Sequence, residues 1–279
     1  MNIQSAVIEG VNILKDKCIL SAQLDTEILM AKALDKNREY IILNHDKVLD
    51  IENLEYFKKL VHERAAKKPI AYLLNKKFFW KNEFYVNKNV LIPRPETEHL
   101  IEETLSIIEK NQKKRLLEIG VGSGCLIISI LKDRKNCSAI AIDCCQKAVK
   151  IAETNAKLHH IKNRIKILKT DVDNFNTGKY DLIISNPPYI DKHQLKYLGV
   201  SEYEPTKALD GGINGIEILS KVITKSSKLL KVNGKLIIEI GSNQKYKMIK
   251  ILKNNNYYVN KIIKDLSNND RCIVCTKLQ

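Results

Sequence analysis

The sequence lacks the features that mark membrane, secreted and disordered proteins. None of its apolar runs approaches the roughly 18 residues of a membrane-spanning helix. The first six residues have neither the basic segment nor the apolar run of a signal peptide. Apolar residues make up 44% of the 279 residues and charged residues 28%, which is ordinary for a globular protein. We therefore expect a cytoplasmic protein of one large domain or two smaller ones, with no membrane partner.

Arginine is scarce, since only seven of the 47 basic residues are Arg. The formal net charge is nevertheless +15. Residues that read base edges or clamp phosphates are preferentially Arg, so a Lys-rich excess is weak evidence for nucleic acid binding. We attribute most of the charge to a composition that is also rich in Asn and Ile. Attraction of an acidic macromolecular partner is the alternative.

The cysteines and histidines form no recognisable ligand set. Seven cysteines, an odd number, do not fit a disulfide framework in a reducing compartment. Cys272-Ile-Val-Cys275 has the spacing of a metal or redox pair, but it lies in an apolar run typical of a strand, and no second pair has suitable spacing. We expect no metal site.

The first third of the chain predicts helices followed by a hairpin. Apolar residues recur at helical spacing over residues 51–61, and the same helical pattern is found throughout residues 1–74. Aromatic and β-branched residues over 77–86 flank a Lys81-Asn82 pair, which predicts a β-hairpin. We interpret residues 1–74 as a helical docking domain and residues 75–96 as a hairpin linker.

Residues 97–279 alternate between short apolar runs and helical segments. The runs predict seven strands, at residues 116–119, 139–142, 165–168, 180–185, 235–240, 257–263 and 272–276. Such alternation indicates an α/β fold with a mostly parallel sheet covered on both faces. A connection at Asn233-Gly234 leads into the fifth strand. The last two strands are joined by a polar loop without a helix, so we expect them to be antiparallel.

The first predicted strand ends in a glycine-rich turn that opens a helix. This turn consists of Gly120, Val121, Gly122, Ser123 and Gly124. Glycine permits positive φ angles and close approach of a ligand to the backbone. Asp143, at the end of the next strand, lies 19 residues beyond Gly124. This is near the spacing at which a carboxylate meets ribose hydroxyls, so the pattern predicts a nucleoside-containing cofactor.

Two details argue against a dinucleotide and for S-adenosylmethionine. The spacing is Gly-x-Gly-x-Gly, and the strand end carries Glu118, which would repel a pyrophosphate. A cationic, amino-acid-bearing cofactor would tolerate or attract that carboxylate. Asp171, just after the third strand, is placed to reach the adenine amine, although it equally fits a turn cap. Its neighbour Val172 could pack on the adenine ring.

The fourth strand runs into Asn186, Pro187, Pro188 and Tyr189. Ligands bind at the carboxyl ends of strands in an open α/β sheet, so this loop should face the cofactor. The prolines offer carbonyl groups without N–H donors, and a proline restricts the residue before it to extended conformations. The Asn186 side-chain oxygen and the Pro187 carbonyl could accept both protons of one planar amino group while Tyr189 packs against it. The acceptor could be a glutamine amide, adenine N6 or guanine N2.

The sequence resembles the protein-(glutamine-N5) methyltransferases that modify peptide chain release factors. Beyond the loop at residues 186–189, the matching motifs lie at residues 24–29, 69–73, 91–98, 118–124, 204–212 and 239–241. The resemblance implies a Rossmann-like fold in which the glycine turn, Asp143 and Asn186 bind S-adenosylmethionine. It also implies that residues 186–189 hold the glutamine of a Gly-Gly-Gln loop in a class I release factor, without a need for nucleic acid. The helical domain would then dock the release factor.

Some assignments stay open at this point. Arg94 and Glu96 could close over the cofactor, or Glu96 and Thr97 could cap the helix that follows. An adenine-N6 DNA or guanine-N2 RNA methyltransferase is the enzymatic alternative, but it would want an Arg-rich or aromatic nucleic acid module, which we do not see. A non-catalytic RNA- or ribosome-binding protein is the alternative of another class.

Overall fold

A computed structural model describes residues 1–197 and 199–279 of the chain. Contacts divide the chain into two units, residues 1–76 and residues 77–279. In the described part of the chain, no helix combines the length and the apolar character needed to cross a membrane.

The first unit is helical. Its helices are α1 (Ile3–Asp16), α2 (Ala22–Ala33), α3 (Arg38–Leu43), α4 (Ile51–Ala65) and α5 (Ile70–Leu74). Leu14, Leu29 and Phe57 are among the side chains buried in its core. A buried ion pair joins two of these helices, with Arg64 Nε 2.7 Å from Asp25 Oδ2.

The second unit has a hairpin, a seven-stranded sheet and six helices. Its elements are β1 (Lys76–Phe79), β2 (Asn82–Tyr85), α6 (Glu98–Ile107), β3 (Arg115–Ile119), α7 (Cys125–Asp133), β4 (Ser138–Asp143), α8 (Gln146–Leu158), β5 (Ile165–Lys169), β6 (Tyr180–Ser185), α9 (Lys192–Leu195), α10 (Glu217–Leu229), β7 (Leu230–Glu239), α11 (Lys245–Asn254), β8 (Tyr257–Lys264) and β9 (Asp270–Lys277). The strand β1 begins at the last residue of the first unit, and Phe79 and Phe84 of the hairpin are buried in the core of the second.

The sheet has the order β5-β4-β3-β6-β7-β9-β8. Pairs among β3 to β7 are parallel, and β9 is antiparallel to both β7 and β8. Successive residues of β3 point to opposite faces, so Leu116 and Leu117 enter two different hydrophobic clusters. The predicted fold class, the mostly parallel sheet and the antiparallel last pair are confirmed.

The strand order reverses between β3 and β6, which lie side by side in the sheet. From β3 the chain proceeds outward to β4 and β5, and it then returns to place β6 on the other side of β3. The loops after two such strands diverge and leave a crevice at their carboxyl ends. The glycine turn follows β3 and the Asn-Pro-Pro-Tyr loop follows β6, so both open on this crevice.

Two local predictions were wrong. The hairpin turns at Trp80 and Lys81, one residue earlier than expected, and Trp80 takes a positive φ of 55° there. Asn233 and Gly234 do not separate two elements, because β7 runs continuously from Leu230. Instead, the register of β7 against β6 shifts between Leu230 and Lys235, so Asn233 and Gly234 lie in an irregular part of one strand.

Candidate active site

A cavity of about 880 Å³ lies at the carboxyl ends of β3 and β6. This volume is within the range of about 300–1,000 Å³ usual for small-molecule sites. Ten of the predicted site residues line its wall: Gly120, Val121, Gly122, Ser123, Asp143, Asp171, Val172, Asn186, Pro187 and Pro188. The structure therefore brings together residues from four loops that the sequence placed at strand ends.

The glycine turn is fixed by backbone hydrogen bonds to the neighbouring strand. The Gly120 and Val121 N–H groups both donate to the carbonyl of Ile142, at 2.9 and 3.0 Å. Gly124 has a φ of 81°, and a Cβ there would lie 2.8 Å from Ile128. Gly124 faces α7 and α8 and is not in the cavity wall, so the structure gives it a packing role at the start of the helix.

Two carboxyl groups lie beside this turn, one on the half-buried Asp143 and one on the buried Glu118. Asp143 accepts hydrogen bonds from the Gly122 N–H at 3.0 Å and from the Cys145 N–H at 2.8 Å. Glu118 is 1% exposed, and its Oε2 accepts from the Ile127 N–H at 3.3 Å. Burial raises the pKa of Asp143 and raises that of Glu118 well above its ordinary value. Desolvation makes the anionic form of a carboxyl group less stable, and a neighbouring cation stabilises that form again. This wall therefore favours a positively charged ligand.

Asp171 both lines the cavity and caps a turn. Its Oδ1 accepts a hydrogen bond from the Asp173 N–H at 2.9 Å, at the start of a single 3₁₀ turn over Val172–Asn174. The capping interpretation is therefore seen in the structure. Val172, beside it, is half-buried in the same wall. The contacts of both residues with adenine stay predictions.

Asn186 is held by a hydrogen bond to a distant threonine. Ser185, the last residue of β6, donates from its hydroxyl to the Ile119 carbonyl at 2.7 Å and so ties the ends of the two strands together. The next residue, Asn186, donates from Nδ2 to Thr97 Oγ1 at 3.0 Å. With Nδ2 engaged, Oδ1 is the atom that the carboxamide can offer as an acceptor.

Tyr189 lies behind the loop and is not in the cavity wall. Its hydroxyl donates to Glu239 Oε1 at 3.0 Å, and its carbonyl accepts from Gln244 Nε2 at 2.9 Å. Burial and the nearby Glu239 raise the pKa of the Tyr189 hydroxyl, so it stays protonated and donates. The expected packing of the Tyr189 ring against an acceptor amide stays a prediction.

The helix-capping role considered for Thr97 was wrong. Thr97 precedes α6, but its side chain makes no capping hydrogen bond. Its hydroxyl instead donates to Glu239 Oε2 at 2.7 Å. Sequence reasoning missed Glu239, although a glutamate at the end of the apolar run Leu236 to Ile238 was a signal that it needs buried partners.

Arg94 also has a partner that the sequence did not indicate. It lines the cavity and pairs with Glu204, which is buried and also accepts from the Ile92 N–H at 3.2 Å. The segment before α6 is therefore anchored to the loop after β6.

Comparison with known proteins agrees with this architecture. Residues 99–202 match the family model described as the methyltransferase small domain, and residues 5–74 match the model described as the PrmC N-terminal domain. Solved structures show the fold alone. A ribosomal protein L11 methylase from Lactobacillus delbrueckii has a TM-score of 0.53 at 20% identity, over 70% of this chain and 84% of its own. A methyltransferase from Pyrococcus furiosus has a TM-score of 0.54 at 18% identity, over 80% of this chain and 98% of its own.

The fold and the domain matches define a Rossmann-like methyltransferase, a class whose cofactor is S-adenosylmethionine. Two relatives described as release factor glutamine methyltransferases extend the match over nearly the whole chain. The one from Clostridium acetobutylicum is 32% identical over 99% of both chains, and the one from Clostridium botulinum is 34% identical over 99% of this chain and 100% of the relative. The chain belongs to the family of release factor glutamine methyltransferases.

Longer relatives also match. A protein of Rickettsia typhi described as a bifunctional methyltransferase is 35% identical over 90% of this chain. The aligned part is 52% of that relative, so this chain spans about half the length of such proteins.

Proposed function

We propose that this protein methylates the side-chain amide nitrogen of the glutamine in the Gly-Gly-Gln motif of class I peptide chain release factors. S-adenosylmethionine would be the methyl donor. The observation that carries the proposal is the fixed carboxamide of Asn186 in the wall of the cavity, with its nitrogen bonded to Thr97 and its oxygen left to accept.

The cavity wall fits the proposed cofactor. Glu118 and Asp143 supply carboxyl groups for a cationic, hydroxyl-bearing ligand. Asp171 and Val172 line the part of the wall that we assign to adenine. Bound there, S-adenosylmethionine would supply an electrophilic methyl group on a cationic sulfur atom.

The residues after β6 suit a planar amide acceptor. A carboxamide nitrogen is a poor nucleophile, because its lone pair is delocalised into the carbonyl group. Asn186 Oδ1 and the Pro187 carbonyl would each accept one of its protons, and both hydrogen bonds would strengthen as positive charge develops on that nitrogen. Holding the nitrogen in line with the methyl group supplies the rest of the rate enhancement. The proton would leave after transfer, so none of these residues has to act as a strong base.

We assign residues 1–74 to docking of the release factor, by analogy with the family. The match to the PrmC N-terminal domain over residues 5–74 supports this assignment. A release factor is a cytoplasmic protein substrate, so we place the reaction in the cytoplasm and propose no requirement for nucleic acid.

The test is mass spectrometry of a purified class I release factor incubated with this protein and S-adenosylmethionine. We expect one methyl group on the Gly-Gly-Gln glutamine and none on a substrate with Gln→Ala at that position. Asn186→Ala should lower turnover by about 100-fold and weaken cofactor binding much less. Transfer to DNA or RNA in a parallel assay, with none to the release factor, would overturn the substrate assignment. No transfer to any of them would favour a binding protein.

A further inference from the structure

Glu239 is a buried carboxyl group whose hydrogen-bond partners, among the described residues, are two hydroxyl groups. It lies at the end of β7 and is 2% exposed. Its Oε2 accepts from Thr97 and its Oε1 accepts from Tyr189, at 2.7 and 3.0 Å. The charge of Arg271 acts on Glu239, but the ion pair of Arg271 is with Asp265, at 2.8 Å.

The ionised carboxylate sets the direction of every hydrogen bond in this network. A carboxylate only accepts, so both hydroxyl groups must point their protons at Glu239. The oxygen of Thr97 is then left to accept, and the group that it faces must be a donor. Asn186 therefore turns Nδ2 toward Thr97, and its amide orientation follows from the charge on Glu239.

A purely structural role would not need this arrangement. Thr104, on α6, satisfies its hydroxyl by donating to the Leu100 carbonyl at 2.7 Å and requires no carboxylate. Burying an ionised carboxyl group without an ion-pair partner costs free energy, and the Thr97 and Tyr189 hydroxyl groups and the charge of Arg271 offset that cost for Glu239. The hydrogen bonds of Glu239 lead through Thr97 to Asn186 and directly to Tyr189, so both end in the loop at residues 186–189.

We infer that Thr97 and Glu239 are positioning residues for methyl transfer: they hold the Asn186 carboxamide with its oxygen toward the acceptor nitrogen and fix Tyr189 behind it. The inference rests on the proposed amide methylation. Neither residue touches the reacting atoms, and each acts through Asn186 or Tyr189.

The network has a pH dependence. Burial raises the pKa of Glu239 to about 7, with the hydrogen bonds from Thr97 and Tyr189 and the charge of Arg271 opposing the shift and that of Glu96 adding to it. The thiol of Cys272, on β9, is a further titratable group near it, and its pKa is raised well above its usual range. When Glu239 is protonated it donates from one oxygen, so either the Thr97 or the Tyr189 hydroxyl must turn its proton away. Reversal at Thr97 frees the Asn186 amide to flip, and reversal at Tyr189 loosens the loop behind it. We therefore expect kcat to fall as pH decreases through about 7.

The first test compares three threonine variants in the release factor assay. Thr97→Val keeps the shape but removes the hydroxyl, so kcat should fall by about 10- to 100-fold with little change in cofactor Kd. Thr97→Ser restores the hydroxyl and should recover most of the lost turnover. Thr104→Val is the matched control, because it is the same change at a buried site on α6, and it should leave kcat unchanged.

The second test measures kcat against pH for wild type and Glu239→Gln. Gln offers one acceptor and one donor group, so it cannot receive both hydroxyl protons. We expect a kcat lower by about tenfold and no acid limb near pH 7. An inactive wild type would overturn the proposed function and this inference with it. An active wild type with Thr97→Val as fast as Thr104→Val, or with an unaltered acid limb in Glu239→Gln, would overturn the inference alone.

Discussion

A buried acidic residue in the cavity wall lowers the stability of the folded protein at neutral pH. Glu118 is the clearest case, since burial raises its pKa well above the ordinary value of 4.5. A carboxyl group whose pKa is higher in the folded than in the unfolded protein holds its proton more tightly when folded. Its contribution to stability is therefore full below about pH 4.5 and declines as pH rises toward the folded-state pKa.

Glu118→Gln removes this pH-dependent cost while keeping an acceptor for the Ile127 N–H. We expect the variant to melt a few degrees higher than wild type near pH 8, with the difference shrinking toward about pH 4.5. Melting curves at several pH values measure it. Glu153→Gln, at an exposed position on α8, is the control and should show no such trend. A difference independent of pH would show that the carboxyl charge is not its cause.

Asp143 fixes the glycine turn, and we assign it a second task as a contact of the cofactor. Asp143→Ala removes the acceptor for the Gly122 and Cys145 N–H groups as well as the carboxylate. We expect the cofactor Kd to rise at least about tenfold, which titration calorimetry measures. Asp133→Ala is the matched control, since Asp133 bonds to Trp80 and Lys81 outside the cavity. A cofactor affinity equal to that of the control would contradict the assignment of Asp143.

Local sequence predicted individual residues well only where local chemistry determines them. The glycine turn and the Asn-Pro-Pro-Tyr loop were identified because their backbone requirements are written in consecutive residues. The bond between Thr97 and Glu239 joins residues 142 positions apart. The apolar run before Glu239 indicates that its carboxyl group needs buried partners, but it does not indicate which ones. Capping by Thr97 was one of two alternatives that the sequence left open, because threonine before a helix commonly caps it.

At the scale of elements, one asparagine connects α8, β2 and the glycine turn. Asn155, on α8, is fully buried, and its Nδ2 donates to the carbonyls of Tyr85 and Ser123 at 2.9 and 2.8 Å. Its Oδ1 accepts from the Tyr85 N–H at 2.8 Å. The end of β2 and the glycine turn are thus fastened to the same helix.

Asn155→Ala should loosen both attachments. It removes the partner of the buried Ser123 carbonyl and of the partly buried N–H and carbonyl of Tyr85, so we expect the free energy of unfolding to fall by about 2–5 kcal/mol. The cofactor Kd should rise as well, because the Ser123 carbonyl lies in the glycine turn. Urea unfolding and calorimetry measure the two effects. Thr154→Ala, at an exposed position on the same helix, should stay within about 0.5 kcal/mol of wild type, and an equally small loss in Asn155→Ala would refute the prediction.

The type of each element, helix or strand, could be predicted from the spacing of apolar residues, but the contacts between elements could not. The seven strands and their mostly parallel pairing could be predicted because the strands of a parallel sheet are buried on both faces. Such strands appear in the sequence as short apolar runs between helices. The hairpin was predicted as a linker, and nothing in its own residues shows that Phe79 and Phe84 enter the core of the second unit. Its partner Asn155 is 70 residues away from Tyr85, beyond the reach of periodicity arguments.

At the scale of the whole molecule, the division into two units separates cofactor binding from the assigned docking role. Every residue of the cavity wall belongs to residues 77–279. The helical unit has its own hydrophobic core, in which Leu14 and Phe57 are buried. The core of the second unit is likewise formed by its own residues, so we expect each unit to fold by itself.

Removing residues 1–76 should therefore spare the cofactor and abolish efficient modification of the protein substrate. We expect the cofactor Kd of the truncated chain to stay within about threefold of the full chain, which shows that the second unit is folded. The kcat/KM for a folded release factor should fall by about 100-fold or more, because the docking energy that orients the glutamine is lost. Calorimetry and the mass spectrometric assay measure the two quantities on the same preparation. A truncated chain that binds cofactor and methylates the release factor as fast as the full chain would show that docking resides in residues 77–279.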